Sequence, residues 1–173
     1  AKAKQMGFEG IEYVNQFFFQ KAEDKDYLKE MNSRASDAGI KQLLIMVDRE
    51  GPLASLDKGQ LGKSIEKHKK WLDAASFLGC HSIRVNAYGE GTRNEVANAA
   101  VEGLGQLAEL AKPYALNVIV ENHGGYSSDG QWLAGVMKEI NMDNCGTLPD
   151  FGNFCLKRKP MSMRCTVCSV CWW

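Results

Sequence analysis

One plan repeats five times along this chain: a short apolar run, a polar or glycine-containing tip, and then a helical stretch. The middle runs are rich in β-branched residues, which is typical of buried parallel strands. Such alternation predicts βαβ crossovers and one parallel sheet. The predicted strands cover residues 8–15, 40–48, 80–87, 116–124 and 145–153, and the predicted helices cover 27–39, 61–79, 92–115 and 128–140.

Two architectures have this alternation, and the glycines help to distinguish them. A doubly wound sheet normally has a glycine-rich phosphate turn after its first strand, whereas "YGEGT" (88–92) lacks the third glycine and follows a middle strand. A (β/α)₈ barrel fits better, because polar residues end nearly every run, where barrels build their active sites. A complete barrel needs about 250 residues, and this chain has 173. We therefore predict an α/β fold, a partial (β/α)₈ TIM barrel of five βα units.

The last 18 residues differ from the rest of the chain in composition. They contain four basic residues, no acidic residue and three cysteines, Cys165, Cys168 and Cys171. This C-x₂-C-x₂-C spacing resembles the start of an iron–sulfur cluster run, but a fourth thiolate at the expected spacing is missing. We therefore interpret residues 1–155 as a partial TIM-barrel domain and 156–173 as an atypical Cys-rich tail, non-native or disordered.

Composition excludes some partners. Lysine plus arginine equal aspartate plus glutamate at 21 each, so no basic field indicates nucleic acid. No apolar run reaches the roughly 18–20 residues that a membrane span requires. The first residues show no signal-peptide pattern, which favours the cytoplasm by default. Because the chain starts at Ala1 rather than methionine, we expect a truncated N-terminus, which leaves an export signal open.

Strand alternation sorts the side chains of 116–124 into two faces. If Val118 and Val120 contact the helices, then Glu121 and His123 face the barrel interior at its open end. In 80–87 the same alternation places Arg84 and Asn86 inside. Asp48 ends the second run and Asp150 the fifth, so these side chains would meet at the same opening.

Several carboxylates close together in a low-dielectric pocket repel one another, so protonation or a cation must relieve the repulsion. Oxygen ligands with a histidine suit Mg²⁺ or Mn²⁺, and Zn²⁺ less well. A divalent ion beside a carboxylate base is suited to removing a proton α to a carbonyl. Each residue also fits a structural role: a solvated loop residue at Glu121, a wall residue at His123, an ion pair of Arg84 with Glu12 or Asp48, and a turn residue at Asp150.

Four stretches, "GIEYVNQFF", "LGCHSIRVNA", "VENHGGYSS" and "GTLPDFGNF", together resemble sugar phosphate isomerases/epimerases of the xylose-isomerase-like TIM-barrel superfamily. In that superfamily a glutamate, an aspartate, a histidine and a second glutamate follow the fifth to eighth strands and hold one divalent ion. The two glutamates are also the acid–base pair. The resemblance therefore implies that Glu121 is a metal ligand and the catalytic acid/base and that Asp150 is a metal ligand. The five strands would be the second to sixth of the barrel.

The chain also departs from this pattern. Asn153 stands where ketose-epimerising relatives often carry a histidine, and the third and fourth metal ligands have no counterpart. We therefore expect a partial gene product, or a reading frame altered after about residue 155. The expected substrate-binding residues are Arg84, Asn86, His123, Asn153 and Asp48.

The resemblance implies a metal-dependent isomerase or epimerase of a sugar or sugar phosphate, working through an enediolate. The divalent ion would be Mn²⁺ or Mg²⁺ first, and Zn²⁺ or Co²⁺ next. The expected partner is a small-molecule sugar or sugar phosphate, with neither nucleic acid nor membrane, and a homo-oligomer stays open. A polyol dehydratase on the same fold and an inactive fragment lacking half of the metal site are the alternatives. A DNA-repair endonuclease fits poorly, because the chain has three histidines and no net charge.

Overall fold

The computed structural model describes residues 2–154. The predictions for the tail 156–173, including its cysteines, lie outside the described residues, as does the predicted domain boundary at 155/156. No helix in the described part of the chain is long and apolar enough to cross a membrane.

The predicted parallel sheet is confirmed, and its strand order distinguishes between the two architectures. All neighbouring strands pair in parallel, in the order β1-β2-β3-β4-β5. A doubly wound sheet reverses its strand order at a switch point, whereas a barrel adds each new strand beside the previous one. The order therefore matches a partial TIM barrel. The strands are β1 (Gly10–Val14), β2 (Lys41–Met46), β3 (Ser82–Asn86), β4 (Asn117–Glu121) and β5 (Cys145–Leu148).

Within residues 2–154, the α-helices that precede or connect these strands are α1 (Lys2–Gln5), α2 (Lys25–Asp37), α3 (Lys58–Phe77), α4 (Arg93–Ala111) and α5 (Gly130–Ile140). Shorter 3₁₀ turns cover Asn15–Lys21, Lys112–Tyr114 and Gly125–Ser128. Thr92 and Glu95 form a capping box at the start of α4. The predicted helix 128–140 starts two residues before α5 does. Asp129 is the cap, because its carboxylate accepts hydrogen bonds from the N–H groups of Gln131 and Trp132.

The hydrophobic core lies between the sheet and its helices. Ile83 and Val85 of β3 and Val118 and Val120 of β4 are fully buried in it. Burying a side chain of this size stabilises the fold by about 1.5–3 kcal/mol. A one-residue slip would turn all four away from the helices, so this burial fixes the register of both strands. The polar residues that alternate with them therefore face the opposite side of the sheet.

Candidate active site

The polar side chains meet at the carboxyl-terminal edge of the sheet, because parallel strands all end at the same edge. Glu121 is the last residue of β4, and in the ladder it lies opposite Asn86, the last residue of β3. Arg84 precedes Asn86 by two residues and faces the same side, opposite Met46 of β2. Asp48 follows β2 by two residues. The alternation of the sequence therefore brings these four polar residues together, as predicted.

Arg84 forms the centre of this cluster. Its Nε and Nη2 lie 2.6 and 2.5 Å from Oε2 of Glu121, and its Nη1 lies 2.7 Å from Oδ1 of Asp48. The residue is only 3% exposed. One buried guanidinium thus joins two carboxylates, and its hydrogen-bonding groups are directed to protein atoms. Of the two ion-pair partners considered for Arg84, the structure shows Asp48 and adds Glu121.

The second oxygen of Glu121 has a different environment. Its Oε1 accepts a hydrogen bond from Nδ2 of Asn153 at 3.1 Å and lies 3.2 Å from Nδ1 of His123. The His123 side chain is 61% exposed, whereas that of Glu121 is 11% exposed. Glu121 therefore holds one oxygen against Arg84 and directs the other toward two polar side chains at the open edge.

Asp48 is surrounded by hydrogen-bond donors. Besides Arg84, Nδ2 of Asn86 donates to Oδ1 at 2.9 Å and Nε2 of Gln16 donates to Oδ2 at 3.3 Å. Burial raises the pKa of the Asp48 carboxyl. The hydrogen bonds and positive charge of Arg84, together with the hydrogen bonds from Asn86 and Gln16, outweigh this effect. The net effect holds this pKa below its ordinary value. Asp48 is thus stabilised as an anion.

Two buried asparagines fix the loops that carry the aspartates. Asn15, after β1, donates from Nδ2 to the carbonyl of Asp48 at 2.9 Å, and its Oδ1 accepts from the Asp48 N–H at 3.1 Å. Asn122, after β4, makes the same pair of bonds to the backbone of Asp150, at 2.8 and 2.7 Å. Both asparagines are fully buried. We call these two arrangements the asparagine clamps, and each extends the pairing of two strands beyond their ends.

The sequence reading missed both clamps as functional features, although a signal was present. Asn122 follows Val118 and Val120 on the face that packs against the helices, and a polar residue on a buried face needs hydrogen-bond partners. Asn15 directly follows β1 in the same way. A search for asparagines at strand ends on the buried face would have found these two residues.

Another buried carboxylate missed by the sequence reading lies beyond the cluster. Glu50 is 3% exposed, and its Oε1 accepts from Nε1 of Trp71 at 2.6 Å and pairs with Nζ of Lys70 at 2.7 Å. Both partners belong to α3, so these contacts tie the loop after β2 to that helix. Glu50 thus supports the loop that carries Asp48.

Asp150 lies in the loop after β5, and its side chain is arranged differently from that of Asp48. The residue is exposed, and its Oδ1 accepts a hydrogen bond from the N–H of Gly152 at 2.7 Å. No group of three His, Cys, Asp or Glu among residues 2–154 is arranged to hold a metal ion. The shared ion between Glu121 and Asp150 stays a prediction.

The donor atoms near Glu121 nevertheless fit a divalent cation. Two ligands about 2.1 Å from an octahedral ion, at right angles to each other, lie about 3.0 Å apart. Oε1 of Glu121 and Nδ1 of His123 are 3.2 Å apart. Carboxylate oxygen with imidazole nitrogen is also a donor set that Mn²⁺ and Zn²⁺ accept. The chemistry and spacing at this edge are therefore compatible with a bound metal.

A cavity of about 500 Å³ adjoins the cluster, between the loops that follow β3 and β4. Asn86 and His123 of the cluster line it, together with Tyr88 and Tyr126. The two loops are joined by a hydrogen bond from the hydroxyl of Tyr126 to the carbonyl of Gly91, at 3.2 Å. The cavity is next to Glu121 through His123, whose Nδ1 lies 3.2 Å from Oε1 of Glu121.

A parallel sheet in simple strand order, with charged side chains at its carboxyl-terminal edge, defines a TIM-barrel type of protein. The chain belongs to the family of the xylose isomerase-like TIM barrel, whose model matches residues 1–163. The resemblance stated from the four sequence stretches is thereby confirmed. No curated protein sequence matches this chain significantly.

Solved structures share the fold at low sequence identity. A xylose isomerase domain protein from Planctomyces limnophilus has a TM-score of 0.79 and 15% identity, over 98% of this chain and 65% of that one. The IolI protein with a zinc atom has a TM-score of 0.78 and 16% identity, over 92% and 59%. D-psicose 3-epimerase in the presence of D-fructose has a TM-score of 0.76 and 16% identity, over 92% and 59%. The chain thus spans less than two thirds of the length of these structures, and at such identities the likeness shows the fold alone.

Proposed function

We propose that this chain carries part of the active site of a metal-dependent isomerase or epimerase that acts on a sugar or sugar phosphate. The observation that carries the proposal is the environment of Glu121, whose Oε2 is fixed by buried Arg84 while Oε1 faces the open edge. A general base must be held in one orientation with a free oxygen within reach of the substrate. Family membership supports the same reaction class.

Glu121 is the acid/base residue in this proposal. Its Oε1 would take a proton from the carbon next to the substrate carbonyl and return it. His123 and Asn153 lie beside this oxygen and would bind substrate hydroxyls. Arg84 was predicted as a substrate contact, but it is buried and directed to two carboxylates. We assign it to holding Glu121 in place.

Glu121 and Asp150 would hold the divalent ion, with Mn²⁺ or Mg²⁺ as the first expectation and Zn²⁺ or Co²⁺ as the next. When bound, such an ion would polarise the substrate carbonyl and stabilise negative charge on its oxygen. Support comes from the exposed carboxylate of Asp150 and from the IolI structure, which contains a zinc atom. The Asn122 clamp holds the Asp150 backbone at the same sheet edge.

The test is exchange of the substrate α-proton with solvent, followed by NMR in heavy water with D-fructose. Glu121→Gln keeps the size of the side chain but removes its basicity, so exchange should fall by about 10²–10⁴-fold. Glu109→Gln is the matched control, because Glu109 lies on the surface near the end of α4 and pairs with the exposed Lys112. Unchanged exchange in Glu121→Gln would remove the basis of the proposal. A new ultraviolet-absorbing unsaturated product would instead support the dehydratase alternative.

A further inference from the structure

We propose that Trp71 and Glu50 are positioning residues for Glu121. They act on it from outside the cluster, through Asp48 and Arg84. This inference rests on the proposed function, in which Glu121 is the acid/base residue. Trp71 lies on α3 and is fully buried, and its Nε1 donates a hydrogen bond to Oε1 of Glu50 at 2.6 Å. We call this hydrogen-bonded pair the α3 anchor.

The two loops that hold Asp48 meet at Trp71. The ring of Phe18, from the 3₁₀ turn after β1, packs edge-on against the indole, with ring centroids 5.3 Å apart. The same turn provides Asn15 and Gln16, which bind the backbone and the carboxylate of Asp48. The loop after β2, which carries Asp48 itself, is joined to the indole by the hydrogen bond of the α3 anchor. One side chain of α3 therefore contacts both loops that orient Asp48.

The turn between Asp48 and Glu50 has a backbone conformation that depends on its contacts with α3. Arg49 has a φ of 62°, in the left-handed region that side chains other than glycine rarely adopt. Gly51 follows with a φ of 104°, and a Cβ there would clash with Oγ of Ser64 on α3. Strained backbone persists only where the surrounding structure determines it. The packing against α3 thus fixes a turn that directs the Asp48 side chain to the cluster and the Glu50 side chain to the helix.

One guanidinium transmits the position of Asp48 to Glu121. Oδ1 of Asp48 accepts a hydrogen bond from Nη1 of Arg84 at 2.7 Å. On its other side, Nε and Nη2 of Arg84 lie 2.6 and 2.5 Å from Oε2 of Glu121. Because the guanidinium is a planar, rigid fork, a shift of Asp48 would turn the two donors that hold Glu121. A shift of about 1 Å in a reacting group can cost on the order of 10²-fold in rate.

The test follows the Nε–H resonance of Arg84 by NMR of the 173-residue chain, because this proton is bonded to Glu121. Trp71→Phe removes the indole donor of the α3 anchor, and Glu50→Ala removes its acceptor. Each variant should speed exchange of the Arg84 Nε–H with solvent by about tenfold or more. Glu50→Gln keeps an oxygen that accepts from the indole, so its exchange should stay within about threefold of the unchanged chain.

Trp132→Phe is the matched control. Trp132 lies on α5 and is also buried, and its Nε1 donates to the carbonyl of Arg93 at 3.1 Å. The control therefore removes the same indole N–H from a different helix, and exchange at Arg84 should change by less than about threefold. Equal exchange at Arg84 in Trp71→Phe and Trp132→Phe would overturn the inference. If Trp71→Phe does not fold, equal exchange in Glu50→Ala and Glu50→Gln would overturn it.

Turnover distinguishes positioning from a purely structural role. In the α-proton exchange assay with D-fructose, Glu50→Ala should lower kcat by about tenfold or more and change KM by less than about threefold. Glu50→Gln should keep the kcat of the unchanged chain. An unchanged kcat in Glu50→Ala would overturn the inference. The Arg84 resonance is measured without substrate, and Glu121→Gln tests the proposed function separately, so the two failures are distinguishable.

Discussion

The two asparagine clamps are alike in their backbone contacts and differ in the aspartate that each one holds. Asn15 and Asn122 each bind the N–H and the carbonyl of an aspartate on the next strand. The side chain of Asp48 is then occupied by neighbouring donors, with Arg84 closest, at 2.7 Å. The side chain of Asp150 is exposed, and the hydrogen bond that it accepts comes from its own loop.

Position at a strand end therefore does not by itself make an aspartate functional. Asp48 balances the charge of Arg84, which in turn holds Glu121, so we interpret Asp48 as a structural anion. Asp150 has no cation beside it in the described contacts and is free to accept one. We therefore propose metal binding for Asp150 and positioning for Asp48.

The largest effect should come from removing the cation shared by the two carboxylates. Arg84→Leu leaves Asp48 and Glu121 without their counter-ion at a largely buried site, which should cost about 3–5 kcal/mol of unfolding free energy. Arg93→Leu is the matched control, because the pair of Arg93 with Asp129 is nearly half exposed and should contribute less than about 1 kcal/mol. Urea denaturation measures both. Equal losses would show that burial of the Arg84 cluster does not matter.

Breaking either clamp should have the next largest effect. Asn15→Ala and Asn122→Ala each leave a backbone N–H and carbonyl without partners, so we expect a loss of about 2–4 kcal/mol in each variant. Hydrogen exchange separates them, since Asn122→Ala should speed exchange at the amide of Asp150 and Asn15→Ala at the amide of Asp48. If exchange at both amides is unchanged in the variants, the clamps are not the source of the order at this edge.

Acid should weaken the side of the sheet that carries Asp48. The pKa of Asp48 is below its ordinary value in the folded chain, so as the pH falls the unfolded chain takes up this proton first. The stability that Asp48 contributes is therefore present above about pH 4 and is lost as the pH falls through its folded pKa. Asp48→Asn should make the decline of unfolding free energy below pH 4 shallower. An unchanged slope would contradict the ion pair with Arg84.

A smaller acid effect should come from His68. Burial lowers the pKa of this histidine, which outweighs the opposing effects of the Ser64 carbonyl and of Glu50. Because the folded pKa lies below the unfolded value of about 6.5, stability should decline as the pH falls below that value. His68→Gln should flatten the stability profile between about pH 6.5 and 5. A profile that keeps its slope would place the titrating group elsewhere.

The sequence predicted the sheet, the inward face and the meeting of Arg84, Asn86 and Glu121, because alternation and burial determine them. The sequence did not decide whether Glu12 or Asp48 pairs with Arg84, because this choice depends on the strand register. The orientation of the Asp150 carboxylate depends on a contact with Gly152 within one loop, which no periodicity encodes. The start of α5 likewise depends on local backbone geometry, which is why the predicted helix starts at 128 and the observed one at Gly130.

We propose that Asp150, and not Asp48, shares a divalent ion with Glu121. Mn²⁺ titration of the 173-residue chain, followed by electron paramagnetic resonance, tests it with Asp150→Asn and Asp48→Asn as a matched pair. We predict binding that weakens by about tenfold or more in Asp150→Asn and by less than about threefold in Asp48→Asn. Equal Mn²⁺ affinity in Asp150→Asn and the unchanged chain, or no binding by the unchanged chain, would contradict the claim and favour an inactive fragment.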